Sequence, residues 1–329
     1  MAEITLALIG ATGCIGREIV DLLQEDDRVS TLVPIASKGS KETHVSFRGD
    51  SVPIRFFEPS SFAGADLVIS ACSPTVGREP YASLVEDGIP LIDLSGVYGT
   101  DLPILAAGLQ GGQGNRLREA GAVTAARPEA IVVARLVRVL KRVAPVLRVS
   151  GTLMMPAAIA GREGVEELSR QVVSMFNSQE APRSRFPEGL AFDVIPSWGG
   201  VTERGWAGCE LLNSIQVAML SGLNPQVIAL DVAVLPLFGG MAASLQFDLN
   251  PGWELERVLE ELKETEDFEF ASVSHLMPRK QIGSTEIAVG RVRANLSGTG
   301  LHLWICCDAQ RLAAKNALDL MEELLWSEA

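Results

Sequence analysis

The first hydrophobic run, Ile4 to Ile9, stops at Gly10, and apolar residues resume at Ile15, Val20, Leu22 and Leu23 with roughly helical spacing. This predicts a buried strand, a glycine turn and a helix beginning near Cys14. Thr31 to Ala36 reads as a second strand, Val45 to Phe57 as alternating short strands, and Ala65 to Ala71 as a buried strand followed by Cys72-Ser73-Pro74. A helix from Arg78 to Asp87 and a strand from Pro90 to Asp93 complete another repeat. Strands alternating with helices in this way predict an α/β fold, a parallel sheet with helices on both faces.

The pattern changes near Gly121. Arg127-Pro128 introduces a helix over Glu129 to Arg142, since proline suits the first helical position and Glu129 complements the positive end of the helix dipole. Val146 to Thr152, Val227 to Leu235, Met241 to Phe247, Glu286 to Ala294 and Leu301 to Cys307 read as strands of a different, antiparallel-rich sheet. Trp253 to Glu264 reads as an acidic amphipathic helix, and Arg311 to Leu325 as a final helix with Leu318, Met321, Leu324 and Leu325 on one face.

The 329 residues, 47% hydrophobic and 21% charged, supply apolar material for two domains. A net charge of −13 argues against a general affinity for nucleic acid or anionic membranes, which needs clustered Lys and Arg. The five cysteines, Cys14, Cys72, Cys209, Cys306 and Cys307, show no metal-ligand spacing, so neither zinc nor disulfides are expected and a reducing cytoplasm fits best. The amino-terminal run reads as a strand rather than a signal peptide. The longest uncharged stretch, Val232 to Phe247, is broken by Pro236, Gly239 and Gly240 and falls short of the ~18 to 20 apolar residues of a membrane span. His44, His275 and His302 are scattered and read as surface or structural residues.

Candidate chemistry begins at Gly10-Ala11-Thr12-Gly13-Cys14-Ile15-Gly16. Glycines after a first strand let backbone approach a pyrophosphate, whose charge is met by N–H groups at the helix start. The candidate cofactor site comprises Gly10, Thr12, Gly13, Cys14, Ile15 and Gly16, with Ser37 and Lys38 after the second strand and Ala71 at the end of a neighbouring one. An NAD site usually has an acid about 20 residues beyond the glycines. Ser37-Lys38-Gly39-Ser40 has none, so Ser37 and Lys38 lean towards the 2′-phosphate of NADP.

Taken together, the GATGCIG turn, Ser150 to Leu168 with its Ala160-Gly161-Arg162-Glu163-Gly164-Val165-Glu166-Glu167-Leu168 tail, Val289-Gly290-Arg291-Val292-Arg293 and Gly300-Leu301-His302-Leu303-Trp304 resemble the aspartate-semialdehyde dehydrogenases, most closely their Usg-type paralogues. The resemblance spans nearly the whole chain. It implies a Rossmann-like dinucleotide-binding domain over 1–128 and 308–329, and an α+β dimerisation domain, catalytic in the family, over 129–307.

The family reaction needs a cysteine thiolate to attack the aldehyde, a histidine to handle the proton, an orienting glutamine, and arginines to hold carboxylate and phosphate. The segment matching the family cysteine is Ala125-Ala126-Arg127-Pro128-Glu129-Ala130, so Pro128 stands at the nucleophile position and Glu129 puts a carboxylate beside it. The family Arg and His positions hold Val234 and Met241, matched through Pro236 and Gly240. The glutamine maps to Met155 and the phosphate-binding arginine to Gly99, while Glu203 is the one substrate group that matches. The expectation is a homodimer without catalytic residues that retains an NADP site and acts by binding, or that pairs with an active relative. The alternative is an active oxidoreductase on an aldehyde or acyl substrate, with Cys72 as its nucleophile. Met154, Met155 and Met241 are expected to fill the vacated pocket or to line a cleft for an apolar ligand.

Overall fold

In the computed structural model the described residues are 3–37, 39–40, 42–73, 84, 88–110, 116 and 119–326. Lys38 and, apart from Leu84, the expected helix Arg78 to Asp87 lie outside them. Backbone packing divides the chain into two compact units, one of Met1–Arg127 with Ala313–Ala329 and one of Pro128–Leu312.

The first unit is built on a parallel sheet. Its strands are β1 (Ile4–Ile9), β2 (Val29–Ala36), β5 (Arg55–Phe56), β6 (Leu67–Ser70), β7 (Leu91–Asp93), β8 (Ile104–Leu105) and β9 (Ala122–Ala125), in the order β5-β2-β1-β6-β7-β9-β8. A separate hairpin pairs β3 (His44–Phe47) with β4 (Asp50–Pro53). The unbroken hydrophobicity of β1 has a direct cause, because successive side chains enter opposite cores and both must be apolar. Leu6 and Leu8 join a core with Ile19, Leu23, Val123, Leu318 and Met321, while Ala7 and Ile9 join another with Val33, Phe62 and Val68. Helix α1 (Cys14–Leu22) therefore covers one face together with the later part of the final helix, Ala309–Leu325.

The second unit holds a mixed sheet of β10 (Val146–Met155), β11 (Ile228–Val234), β12 (Met241–Leu249), β13 (Phe268–Phe270), β14 (Ile287–Ala294) and β15 (Gly300–Cys307), ordered β11-β10-β12-β15-β14-β13. Its central ladders, β10 with β12, β12 with β15 and β15 with β14, are antiparallel, and both edge pairs are parallel. Helix Pro128–Val143 packs against helices Gly208–Ser221 and Leu255–Glu264. Arg135 and Arg138 reach Asp267 from it, at 3.1 and 2.5 Å. In Leu255–Glu264 only Val258 and Leu262 are buried, which leaves the acids on a solvated face.

Two helices lie where periodicity predicted none, Gly161–Phe176 and Gly208–Ser221. In the first, Glu167 is 1% exposed and accepts backbone N–H bonds from Ser184, Arg185 and Phe186. One turn on, Gln171 accepts from the amides of Leu190 and Ala191. The motif that ends Glu166-Glu167-Leu168 is thus a loop anchor, in which a buried carboxylate is stabilised by charge-assisted hydrogen bonds.

Candidate functional site

The glycine turn closes as the spacing requires. Gly10 and Ala11 donate backbone N–H bonds to the Ile35 carbonyl at the end of β2, at 2.8 and 3.3 Å, and Gly13 N donates to Gly10 O at 2.9 Å. Gly10 has φ +81°, and a Cβ there would lie 2.6 Å from the Ala71 carbonyl oxygen. A Cβ on Gly16 would lie 2.1 Å from Gly10 O, so helix α1 can sit this close to its own turn only with glycine at that position. Gly13 is the N-cap of α1, without a side-chain cap, and the first turn of the helix holds no acid. The helix start at Gly13, Cys14 and Ile15 thus supplies no acid of its own, and a helix start of this kind is where backbone N–H groups can meet an anion.

Thr12, Gly13, Cys14 and Ile15 are half-buried, Gly16 is buried, and Ala71 completes the floor by donating its N–H to Ile9 O at 2.8 Å. Ser37 is exposed where the chain leaves β2. Two residues that sequence reasoning did not single out join the turn. Arg17 donates from Nε to the Thr12 carbonyl at 3.2 Å, and its guanidinium forms an ion pair with Glu42. The loop after β2 thus brings a carboxylate back to α1, and a contact across 25 residues leaves no local periodicity to find.

In the second unit, the strands bring the other candidate positions to one end of the sheet. Met155 ends β10 and Val234 ends β11, paired in parallel register, and Leu235 N donates to Met155 O at 2.8 Å. Met241 opens β12 opposite Cys307, directly after Gly240, and its neighbour Ala242 pairs with Met154. Pro128 begins the helix Pro128–Val143, and the adjacent Glu129 lies near enough to Cys307 to act on its thiol electrostatically. Met155 is 2% exposed, and Val234 and Met241 are both 0%. Met155 and Met241 are therefore buried rather than lining an open cleft, Val234 packs with Ala157, Leu168 and Phe186, and Met154 packs beside Trp304.

The remaining reactive groups are placed as follows. Cys307 is buried and its thiol is pushed well above the usual range, first by desolvation and then by Asp308, Cys306 and Glu129. Burial likewise raises Cys306 to about 11, against a smaller opposing effect of the Trp304 indole N–H. Cys72 is half-buried, with Sγ 3.2 Å from Ser70 Oγ. Beside it, Asp93 is fully buried at the end of β7 and accepts from Ser95 N, Ser95 Oγ and Gly96 N; burial nevertheless outweighs these bonds and raises its carboxyl pKa. Gly99 lies in the turn beyond it, with φ +55°. Glu203 is on the exposed turn Thr202–Trp206, His44 and His275 are exposed, and His302 is half-buried within β15. Among the described residues no group of three or more His, Cys, Asp or Glu could hold a metal ion, and no helix is long and apolar enough to cross a membrane.

Comparison with known proteins agrees with this architecture. Over 328 residues the chain is 28% identical to the USG-1 protein homolog of Azotobacter vinelandii, covering 98% of each. It is 26% identical to the aspartate-semialdehyde dehydrogenase of Rickettsia typhi, covering 97% of each. Among solved structures, aspartate semialdehyde dehydrogenase II of Vibrio cholerae superposes with a TM-score of 0.90 over the full length of both chains at 21% identity. The Candida albicans aspartate semialdehyde dehydrogenase, solved with NADP, gives 0.70 at 14% identity, covering 98% of each chain. Residues 5–123 match the semialdehyde dehydrogenase NAD-binding domain and residues 140–311 the semialdehyde dehydrogenase dimerisation domain. With both parts matched in order along one chain, the protein belongs to the semialdehyde dehydrogenase family.

Proposed function

We propose that this chain is a non-catalytic member of its family, a cytoplasmic homodimer that binds NADP at Gly10 to Gly16 and works through binding. The observation that carries this reading is the closed apolar end of the second unit. A nucleophile at Pro128, a base at Met241 and polar groups at Met155 and Val234 would each need solvent or a substrate beside them, and Met155, Val234 and Met241 are sealed in the core. The nearest thiol, Cys307, is held protonated by the same burial. The cofactor turn, in contrast, keeps its glycine geometry and its uncapped helix start.

Association of two copies is supported by the dimerisation domain matched over residues 140–311 and by the outward face of helix Gly208–Ser221. There Leu211, Ile215 and Met219 recur at four-residue spacing and are 37%, 38% and 46% exposed. A second reading, an active oxidoreductase on an aldehyde or acyl substrate, is favoured by Cys72, which is half-buried beside Ser70 at the end of a strand in the cofactor-binding unit.

One experiment separates the two. Purified protein is titrated with NADPH by fluorescence, then assayed for phosphate- or arsenate-dependent NADP reduction with aspartate semialdehyde. Saturable binding without reduction is the expected result. Reduction that disappears in Cys72→Ser would overturn it in favour of the enzyme. Co-purification with an active family member would extend the binding role to a mixed oligomer.

A further inference from the structure

The exit of β2 is tied back onto the glycine turn. Beyond the bonds from Gly10 and Ala11 to Ile35, Ser40 Oγ donates to Thr12 Oγ1 at 3.4 Å and Glu42 N donates to Ser40 Oγ at 3.3 Å. These links set Glu42 over the first turns of α1, where its carboxylate meets the Arg17 guanidinium. Both side chains keep contact with water, at 53% exposed for Arg17 and 33% for Glu42. They also share the wall of a surface depression of about 260 Å³ with Ala11, Gln24 and His44.

In a doubly wound sheet the exit of the second strand is where the adenosine ribose of a bound dinucleotide lies. Two side-chain chemistries distinguish the dinucleotides there. A carboxylate accepts hydrogen bonds from the ribose hydroxyls of NAD, whereas a guanidinium takes the 2′-phosphate of NADP in bidentate fashion. This chain carries one of each, already paired with the other. We propose that Arg17 and Glu42 together set the preference between NAD and NADP, Arg17 as the ligand of the 2′-phosphate and Glu42 as its resident competitor.

The proposal rests on the reading that the glycine turn binds a dinucleotide. A 2′-phosphate must take Arg17 from Glu42 and then stand close to that carboxylate, so the pair lowers affinity for NADP. The 2′-hydroxyl of NAD is an uncharged donor and can bond to Glu42 while the ion pair stays closed. Because both residues are partly exposed, the selection is sensitive to salt. The close approach of α1 to the turn is set by Gly10 and Gly16, where an added Cβ would meet backbone.

The test is to measure dissociation constants of NADPH and NADH for the full chain, Glu42→Gln and Arg17→Gln, by nicotinamide fluorescence and by calorimetry, at low and high salt. Thermal melts verify that each variant is folded. In Glu42→Gln, NADPH should bind roughly tenfold tighter, the size of a competing charge-assisted bond, while NADH should weaken by roughly three- to tenfold as its ribose hydroxyl loses a carboxylate acceptor. In Arg17→Gln, NADPH should weaken by roughly tenfold or more and lose most of its salt dependence, with little change for NADH. If both dinucleotides bind and the ratio of their constants is the same in all three proteins, the selection proposal fails and dinucleotide binding stands. If none of the three binds either dinucleotide, the binding reading fails and takes this proposal with it.

Discussion

Met155 and Val234 lie side by side in parallel register at the ends of neighbouring strands, and neither is more than 2% exposed. Val234→Arg would place a guanidinium among the buried side chains of Ala157, Leu168, Phe186 and Leu190. An uncompensated buried charge costs about 3–5 kcal/mol. Urea unfolding of Val234→Arg should show a loss of that size, and Met241→His a smaller loss that grows as the imidazole is protonated at lower pH. A midpoint unchanged in both variants would mean that this end of the unit is open.

Gly13 and Gly16 should respond differently to the same change. Gly16→Ala drives a methyl into Gly10 O and the Ala11 backbone, and such overpacking costs about 1–3 kcal/mol or more. Gly13 has ordinary helix-cap dihedrals, and its added Cβ would sit 3.2 Å from Gly10 O. Thermal melts should show a much lower transition for Gly16→Ala than for Gly13→Ala. On the proposed binding role, NADPH titration should show weakened binding in both, since the methyl of Gly13→Ala would stand at the helix start proposed for the pyrophosphate.

The five thiols divide by burial. In native protein at mildly alkaline pH, Ellman's reagent should modify Cys14 and Cys72 and leave Cys209, Cys306 and Cys307 intact, with all five reacting in denaturant. Peptide mapping after alkylation assigns the sites. Rapid native modification of Cys307 would contradict the closed core around Met241.

Asp93 gives a pH dependence of defined sign. Burial raises its folded pKa above the unfolded value, so the native state binds this proton more tightly than the unfolded chain does. Its contribution is fully present below the ordinary aspartate pKa of about 3.9 and is lost as pH rises through the raised folded value. The difference in unfolding free energy between the wild type and Asp93→Asn should therefore fall across that window and become flat above it. A difference that rises with pH would reverse the assignment, placing the hydrogen bonds from Ser95 and Gly96 above desolvation.

Hydrophobic patterning made most of this fold legible, because α1 and the last helix commit their apolar residues to one face and β1, buried on both, is apolar throughout. Helix Gly208–Ser221 escaped for the opposite reason. Its buried side mixes Glu210, Asn213 and Gln216 with Cys209, Val217 and Leu220 while Leu211, Ile215 and Met219 face outward, which blurs the usual apolar stripe. Glu210 itself caps the helix through the Ala207 amide at 2.8 Å, a local bond that an alanine at the cap position conceals. In the candidate sites, the glycine turn was readable because backbone sterics dictate residue type. The Arg17–Glu42 pair was not, since only the folded loop brings it together. The resemblance could single out Pro128, Met155, Val234 and Met241, but only packing could show that three of the four are buried.

The final helix gives the first unit a history as well as a shape. Leu6 and Leu8 share their core with Ala314, Leu318 and Met321, residues separated from them by the whole second unit. During synthesis the glycine turn emerges among the first segments, yet one face of its sheet is only partly covered, by α1, until the helix Ala309–Leu325 has left the ribosome. A chain stalled or clipped before that helix would hold every residue of the nucleotide turn on an unfinished scaffold.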